Sequence, residues 1–386
     1  MGAPWFQIQH LAESHGLVAL SANFTLYGDI SNRMMSVAAG LGPEQEIYSI
    51  DECFVSLDGV RGDLVKRSRT IRSRILQWVG IPTCVGMGQT KTLAKLANHI
   101  AKTAERKPGI YPEHLAQVCN LSAMTDEDRH QILSATDVQE VWGVGPRIGK
   151  ALKEGGVKTV QDLVDLDPAT VRGHWSVTLE KTLRELRGIP CVGLDDAPAP
   201  KQQIACTRSF GRAVTDLDAL SEAVSEFATR AAEKLRRQHS FANQVMVFVH
   251  TSPFRPGPKY AKSIVMPLRR PSSDTQALVQ AAVRGMRSIF KPGYQMAKAG
   301  VMLMDLQPDT IVQGELDLGD EPRLNMDRPK HRLMSALDSL NDRYGKGTLL
   351  MASSGLKGDK RSWAMRQERR TPRYTTSWDD LPVARC

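Results

Sequence analysis

The sequence predicts an α+β protein of several domains, and three observations carry that prediction. Stretches rich in β-branched and aromatic residues, EIYSIDECFVSLDG and the apolar run from Ile81 to Met87, alternate with amphipathic helical stretches. From about 126 to 190 the pattern changes to short helices with glycine turns. Beyond the loop GLDDAPAPKQQ, the order strand, helix, strand, strand, helix, strand reads as a split βαββαβ unit. A chain of 386 residues has room for two or three such bodies, each with its own core.

Taken in order, residues 1–40 read as helix and loop, with a helical period through Ile30, Met34 and Val37. EIYSIDECFVSLDG reads as two strands joined by a tight turn in which only Asp51 and Glu52 separate Ile50 from Cys53. Leu64, Ile71 and Ile75 line one face of a helix over 64–79, with Lys66, Arg67, Arg69, Arg72 and Arg74 on its wet sides. Ile81–Met87 is a buried strand that feeds a glycine turn and a helix over 91–104. In the βαββαβ unit the strands fall at 203–210, 244–251, 263–268 and 299–306, and the helices at 217–237 and 275–290. A polar, acidic stretch, a short helix near 333–340 and an Arg-rich tail follow.

Composition narrows the function. With 41% hydrophobic and 24% charged residues, the chain is neither fibrous nor wholly disordered. Its 51 Lys and Arg against 42 Asp and Glu give a charge of +9, which suits a polyanionic partner. No run approaches the roughly 20 apolar residues of a membrane span, and MGAPWFQIQH lacks the pattern of a secretory leader. A cytoplasmic protein is expected. The six cysteines show no CxxC spacing and the nine histidines no HExxH, which speaks against a zinc site or a disulfide framework.

Asp51 and Glu52 are the sharpest chemical signal. Strand neighbours point to opposite faces, but at a hairpin tip two carboxylates can converge, and oxygen donors of this kind select Mg²⁺ or Mn²⁺. A solvated acidic turn is the competing reading. GMGQTKTLAKLANHIAK fails as a Walker A loop because Thr90 stands where a glycine must precede the lysine. It still offers an anion site, with Thr90 as cap, free amides at the helix start, and Lys91 and Lys95 one turn apart. VWGVGPRIGKALKEGGVKTVQDL matches a helix-hairpin-helix, two short helices joined by Gly143, Val144 and Gly145. Its glycines bare amides towards a DNA phosphate, while Arg147 and Lys150 add charge. TRSFGR offers Arg208 and Arg212 for a nucleic-acid backbone, and QGELDL has the spacing of a short linear motif.

In this order, these segments resemble the UmuC-like branch of the Y-family of translesion DNA polymerases. The resemblance implies a right-hand architecture: a fingers remnant at 1–40, an incomplete palm at 41–125, a helix-hairpin-helix thumb at 126–190, and a linker at 191–200. A βαββαβ little finger at 201–308 and a C-terminal partner-binding region at 309–386 complete it. Asp51 and Glu52 would be catalytic carboxylates and ligands of two Mg²⁺ ions. Lys95 and Lys91 would meet the incoming triphosphate, and Gly143, Gly145, Arg147, Lys150, Arg208 and Arg212 the DNA. Gln313, Leu316 and Leu318 match a sliding-clamp motif. The implied partners are primer-template DNA, deoxynucleoside triphosphates, a processed UmuD-like dimer, a RecA filament and the clamp, with no membrane. The implied location is the cytoplasm, on the nucleoid when active.

One departure stands out. The family opens with a strand bearing a first metal-binding Asp and a gate against ribonucleotides, whereas MGAPWF aligns with the fingers region. The expectation is therefore an error-prone SOS polymerase subunit carrying two of three carboxylates. The alternative is a catalytically impaired copy that only binds DNA and partners. A helix-hairpin-helix nuclease or glycosylase is disfavoured, since no base or nucleophile is placed near residues 143–160.

Overall fold

The computed structural model describes residues 3–195, 199–311, 327–355, 361–365 and 367–383, with the backbone alone for 327–331. Two compact units result, Met1–Pro198 with Arg370–Cys386, and Ala199–Arg369. Among the described residues no helix is long and apolar enough to cross a membrane.

The first unit begins with α1 (Trp5–Ile8), α2 (His10–Ser14) and α3 (Phe24–Ala38). The hairpin of β1 (Gln45–Ile47) and β2 (Cys53–Val55) follows, antiparallel with Glu46 opposite Phe54. Then come α4 (Leu64–Val79), β3 (Val85–Met87), α5 (Lys91–Arg106) and β4 (Val118–Asn120), with β3 and β4 parallel. Helices α6 (Asp126–Ala135), α7 (Pro146–Glu154), α8 (Val160–Asp165), α9 (Pro168–His174) and α10 (Val177–Leu186) complete it.

Local chemistry sets these boundaries. The Asp63 side chain accepts the Lys66 N–H at the start of α4, and Gly80, at a φ of 78°, ends it in the left-handed conformation that glycine adopts without strain. Ile71 and Ile75 pack on Met34, Met35 and Leu41. Two of the arginines expected on the wet side of α4 are instead fastened to the protein. Arg67 donates to the Gly40 and Leu41 carbonyls, and Arg72 to the Thr83 carbonyl and Gln117 Oε1, because a guanidinium supplies several donors to carbonyls that lack partners. The strand expected from Ile81 shrinks to Val85–Met87, since Pro82 has no N–H to give a ladder.

β3 crosses α5 at close range. A Cβ on Gly86 would lie 2.0 Å from the Asn98 nitrogen and 2.3 Å from the Ala94 oxygen, so only glycine permits this approach.

The second unit follows the βαββαβ order expected: β5 (Ile204–Val214), α11 (Leu217–Arg237), β6 (Ser240–Thr251), β7 (Ala261–Ser272), α12 (Thr275–Ile289) and β8 (Met296–Pro308). The sheet is antiparallel in the order β5-β8-β6-β7. Leu220, Val224, Phe227 and Leu235 of α11 and Leu278, Ala282 and Met286 of α12 bury against Val245, Val247, Val301 and Leu303. Each of these four strands is longer than its apolar stretch suggested; β5 and β7 resume pairing beyond a register shift, at Val214 and Ser272. Helix α13 (Asp327–Tyr344) extends beyond the segment expected and is tied down by Arg236, which bonds Asp338 at 2.6 and 2.7 Å. Trp363 is buried, edge-on to Phe227 at 5.8 Å.

Gly86→Ala is expected to destabilise the first unit by ~1–3 kcal/mol or more through overpacking. Chemical denaturation should show the loss in the transition of that unit, and an unchanged midpoint would refute the close approach.

Candidate active site

Asp51 and Glu52 lie between β1 and β2, but the turn runs from Tyr48 to Glu52, longer than the two residues expected. The Tyr48 and Ser49 N–H groups both donate to the Glu52 carbonyl, at 3.1 and 3.0 Å, so the backbone closes on itself before Ile50 can extend β1. Ser49 Oγ donates to Asp51 Oδ1 at 2.6 Å and accepts the Asp51 N–H. Ser31 Oγ of α3 donates to the Ile50 carbonyl at 2.5 Å and fixes the tip from outside. Burial pushes the Cys53 thiol at the start of β2 up from its ordinary value.

The two carboxylates have separate partners. Asp51 is exposed, whereas Glu52 Oε2 accepts from Lys95 Nζ at 2.8 Å and Oε1 lies 3.6 Å from Lys102 Nζ. Among the described residues, no three His, Cys, Asp or Glu side chains gather into a metal-binding cluster.

Lys91 and Lys95 do share a face of α5, and both meet the hairpin. Lys91 Nζ lies 2.7 and 2.8 Å from the Glu46 carboxylate oxygens and 4.7 Å from the centre of the Phe54 ring. Glu46 also accepts the Asp195 N–H at 2.8 Å. Lys95 Nζ sits 4.4 Å from the Tyr48 ring and 5.5 Å from that of Trp142. An ammonium held over ring faces and against a carboxylate is attracted by both.

Tyr48, Phe54 and Trp142 form a triad, with ring centres 5.6 to 5.9 Å apart. Trp142 Nε1 donates to the Tyr48 hydroxyl at 3.1 Å. Sequence reasoning assigned these three side chains no role. Their sequence signal was available as aromatic residues flanking the acidic pair and the glycine loop, but nothing in the sequence brings residues 48 and 142 together.

The start of α5 is not the open anion site expected. The buried Glu185 carboxylate takes it, Oε2 accepting the Thr92 N–H at 3.0 Å and hydroxyl at 2.6 Å, while Oε1 accepts the Cys191 and Val192 N–H groups. Thr90 caps the helix as expected, accepting from Leu93 N–H, and donates to the Glu185 carbonyl. A carboxylate from α10 thus supplies the negative charge that a helix N-terminus favours.

Trp142 leads into the glycine loop. Gly143 adopts a φ of 90°, Gly145 precedes α7, and Pro146 fills its first position. Leu152 and Val157 are buried and Ile148 is partly buried, so they pack this hairpin as expected, while Arg147 and Lys150 are exposed. The element before the loop is a single 3₁₀ turn, Val138–Glu140, in place of a helix, because the Asp137 side chain caps it at the Gln139 N–H and the Val141 N–H returns to the Val138 carbonyl. The hydrogen bond from Lys153 to Asp137 holds that carboxyl below its usual range.

In the second unit Arg208 faces the helices, its guanidinium 5.8 Å from the Phe227 ring and 6.0 Å from Trp363, and Arg212 is exposed. Gln313, Leu316 and Leu318 lie outside the described residues.

Trp142→Ala should lower the stability of the first unit by about 2 kcal/mol, since it removes two ring contacts and the bond to Tyr48. Trp142→Phe, which keeps a ring, should cost about half as much. Thermal unfolding of both variants checks this, and equal losses would refute the contribution of the ring contacts.

Residues 1–99 match the impB/mucB/samB family and 201–316 its C-terminal domain, while 331–384 match a domain of unknown function, DUF4113. The chain is 40% identical to the protein UmuC of Salmonella typhimurium over 98% of its own length and 87% of the relative's. It is 38% identical to ImpB of the same species, over 100% and 88%, and 37% identical to MucB of Escherichia coli, over 100% and 87%. A solved Y-family DNA polymerase chimera of Dbh and Dpo4 shares the fold, with a TM-score of 0.59 at 16% identity over 80% of this chain and 83% of that one. Identity sustained along the whole chain, on the fold of a Y-family polymerase, makes this protein a member of the impB/mucB/samB family.

Proposed function

We propose that the chain is a translesion DNA polymerase subunit of the SOS response that adds deoxynucleotides opposite damaged template bases. The observation that carries this reading is the junction of hairpin, α5 and glycine loop. It sets Glu52, the neighbour of Asp51, against Lys95 and, through Tyr48 and Trp142, beside the glycine loop, which in this reading receives a DNA phosphate. The partners in this reading are primer-template DNA, deoxynucleoside triphosphates, a processed UmuD-like dimer, a RecA filament and a sliding clamp, and the setting is the cytoplasm.

Asp51 and Glu52 are hard oxygen donors, and Mg²⁺ is commonly held by one or two carboxylates together with substrate phosphates, so the donor set fits a divalent cation. Bound there, two Mg²⁺ ions would stabilise the attacking and leaving oxygens of an in-line phosphoryl transfer. The chain's own residues prepare the cleft. Lys95 neutralises Glu52 in the absence of substrate, and an incoming triphosphate competes for that ammonium and frees the carboxylate. Lys91, committed to Glu46 with its side chain only 10% exposed, acts mainly to hold β1 on α5. Arg147 and Lys150 neutralise DNA phosphates without reading sequence. Arg208, drawn onto two rings, supports the second unit, which leaves Arg212 for the backbone contact.

A specific observation favours a second reading. Among the described residues the first unit holds two separate two-stranded sheets, and a cavity of about 1430 Å³ opens between the walls formed by β2, β3, α3, α4 and α5, with Asp51 and Glu52 on its lining. So open a cleft with two carboxylates suits a chain that binds DNA and partners without extending primers, because this chemistry depends on position.

Primer extension on an abasic template, with the UmuD-like dimer and RecA present, separates the two. Extension that Asp51→Ala lowers by about a hundredfold or more supports catalysis; DNA binding without extension establishes the second reading. Replacing Arg147 and Lys150 by Ala should weaken DNA binding alike for all sequences and flatten the slope of log K against log salt by about 0.9 per lost phosphate contact. An unchanged slope would remove the glycine hairpin from the DNA interface.

A further inference from the structure

We propose that the C-terminal segment 370–383 is an intramolecular strap that holds α3 and, through it, the carboxylate hairpin, with Asn23 as the positioning residue. The matched domain of unknown function, residues 331–384, runs through this segment. Its earlier part, α13, belongs to the second unit, whereas from Arg370 onward the chain belongs to the first.

Three contacts fasten the strap. Arg370 forms a parallel bridge with Ser21. Asn23, fully buried, donates through Nδ2 to the Thr371 carbonyl at 2.9 Å, to the Thr371 hydroxyl at 3.1 Å and to the Pro372 carbonyl at 3.1 Å. Asp29 follows one turn and a half further along α3, and the nearby Thr375 side chain is the main influence that lowers its carboxyl below the usual range. The strap closes on itself, since the Arg373 N–H donates to Asp380 Oδ2 and the Thr376 and Ser377 N–H groups return to the Arg373 carbonyl.

α3 passes this constraint on. Asn23 is its N-cap, with Oδ1 accepting the Leu26 N–H, so one side chain both starts the helix and receives the strap. Two turns later Ser31 holds the Ile50 carbonyl beside Asp51, and the Met35 carbonyl accepts from Gln45 of β1. A buried amide whose donors are all used is costly to displace, which makes Asn23 the natural fulcrum. The strap holds the hairpin whatever chemistry the hairpin performs.

The amide of Asn23 allows a clean test in the full chain. Asn23→Asp keeps an oxygen to cap α3 but replaces the donor with a carboxylate facing two carbonyls. Hydrogen exchange should then quicken by about tenfold in 370–380, in the first turns of α3 and in the hairpin 47–54, while β6 and β8 stay unchanged. Quickening of the strap alone, with the hairpin unaffected, would overturn the positioning role, and no change anywhere would overturn the strap. If Asn23→Asp loosens the entire first unit, Thr375→Val, which leaves the cap intact, decides: the same local pattern supports the strap, and its absence refutes it.

Discussion

One ammonium group, that of Lys95, joins elements that are remote in the chain. It touches the Glu52 carboxylate, the Tyr48 ring and the Trp142 ring, and so ties the acidic hairpin, α5 and the entrance to the glycine loop at a single point. Each contact alone is modest, an ion pair or a cation over a ring face. Together they bring opposite charges close without a cluster of bare carboxylates, and they keep the glycine loop in register with the hairpin. The neighbouring Lys91 repeats the design one turn earlier with Glu46 and Phe54, in a more enclosed setting.

The charge of +9 acquires a different meaning in this light. Much of the basic charge expected on wet faces or against a polyanion is occupied within the protein: Arg67 and Arg72 on carbonyls, Lys91 and Lys95 on glutamates, Arg208 on aromatic rings. Near the glycine loop Arg147 and Lys150 stay exposed, Lys150 with its Nζ 3.7 Å from Glu154 Oε1. Net charge states the sign of a partner, whereas the location of its footprint follows from which cations have found internal partners.

Support for the hairpin and for α5 also arrives from distant parts of the chain. Glu185 bolts α10 to the start of α5, and the C-terminal strap, through Asn23 and Ser31, braces the hairpin tip from the side of α3. The two devices use the same physics. A buried polar group with every donor or acceptor engaged fixes one arrangement, since any other would strand it.

The sequence by itself determined the helices α4, α5, α11 and α12, the βαββαβ order and the positions of the glycine loop and the acidic turn, since these rest on periodicity, caps and glycine chemistry acting over a few residues. Strand ends were less legible: β3 starts four residues later than its apolar run, while β6 and β8 run past theirs, because ladder pairing depends on the neighbouring strand. Only the tertiary structure decided the partners. It gave the α5 N-terminus to Glu185, set Trp142 against Tyr48, turned Arg208 inward and joined Thr371 to Asn23. Pairs separated by 93, 94 and 348 positions leave no local pattern to read, for their meeting is fixed by packing across the whole unit.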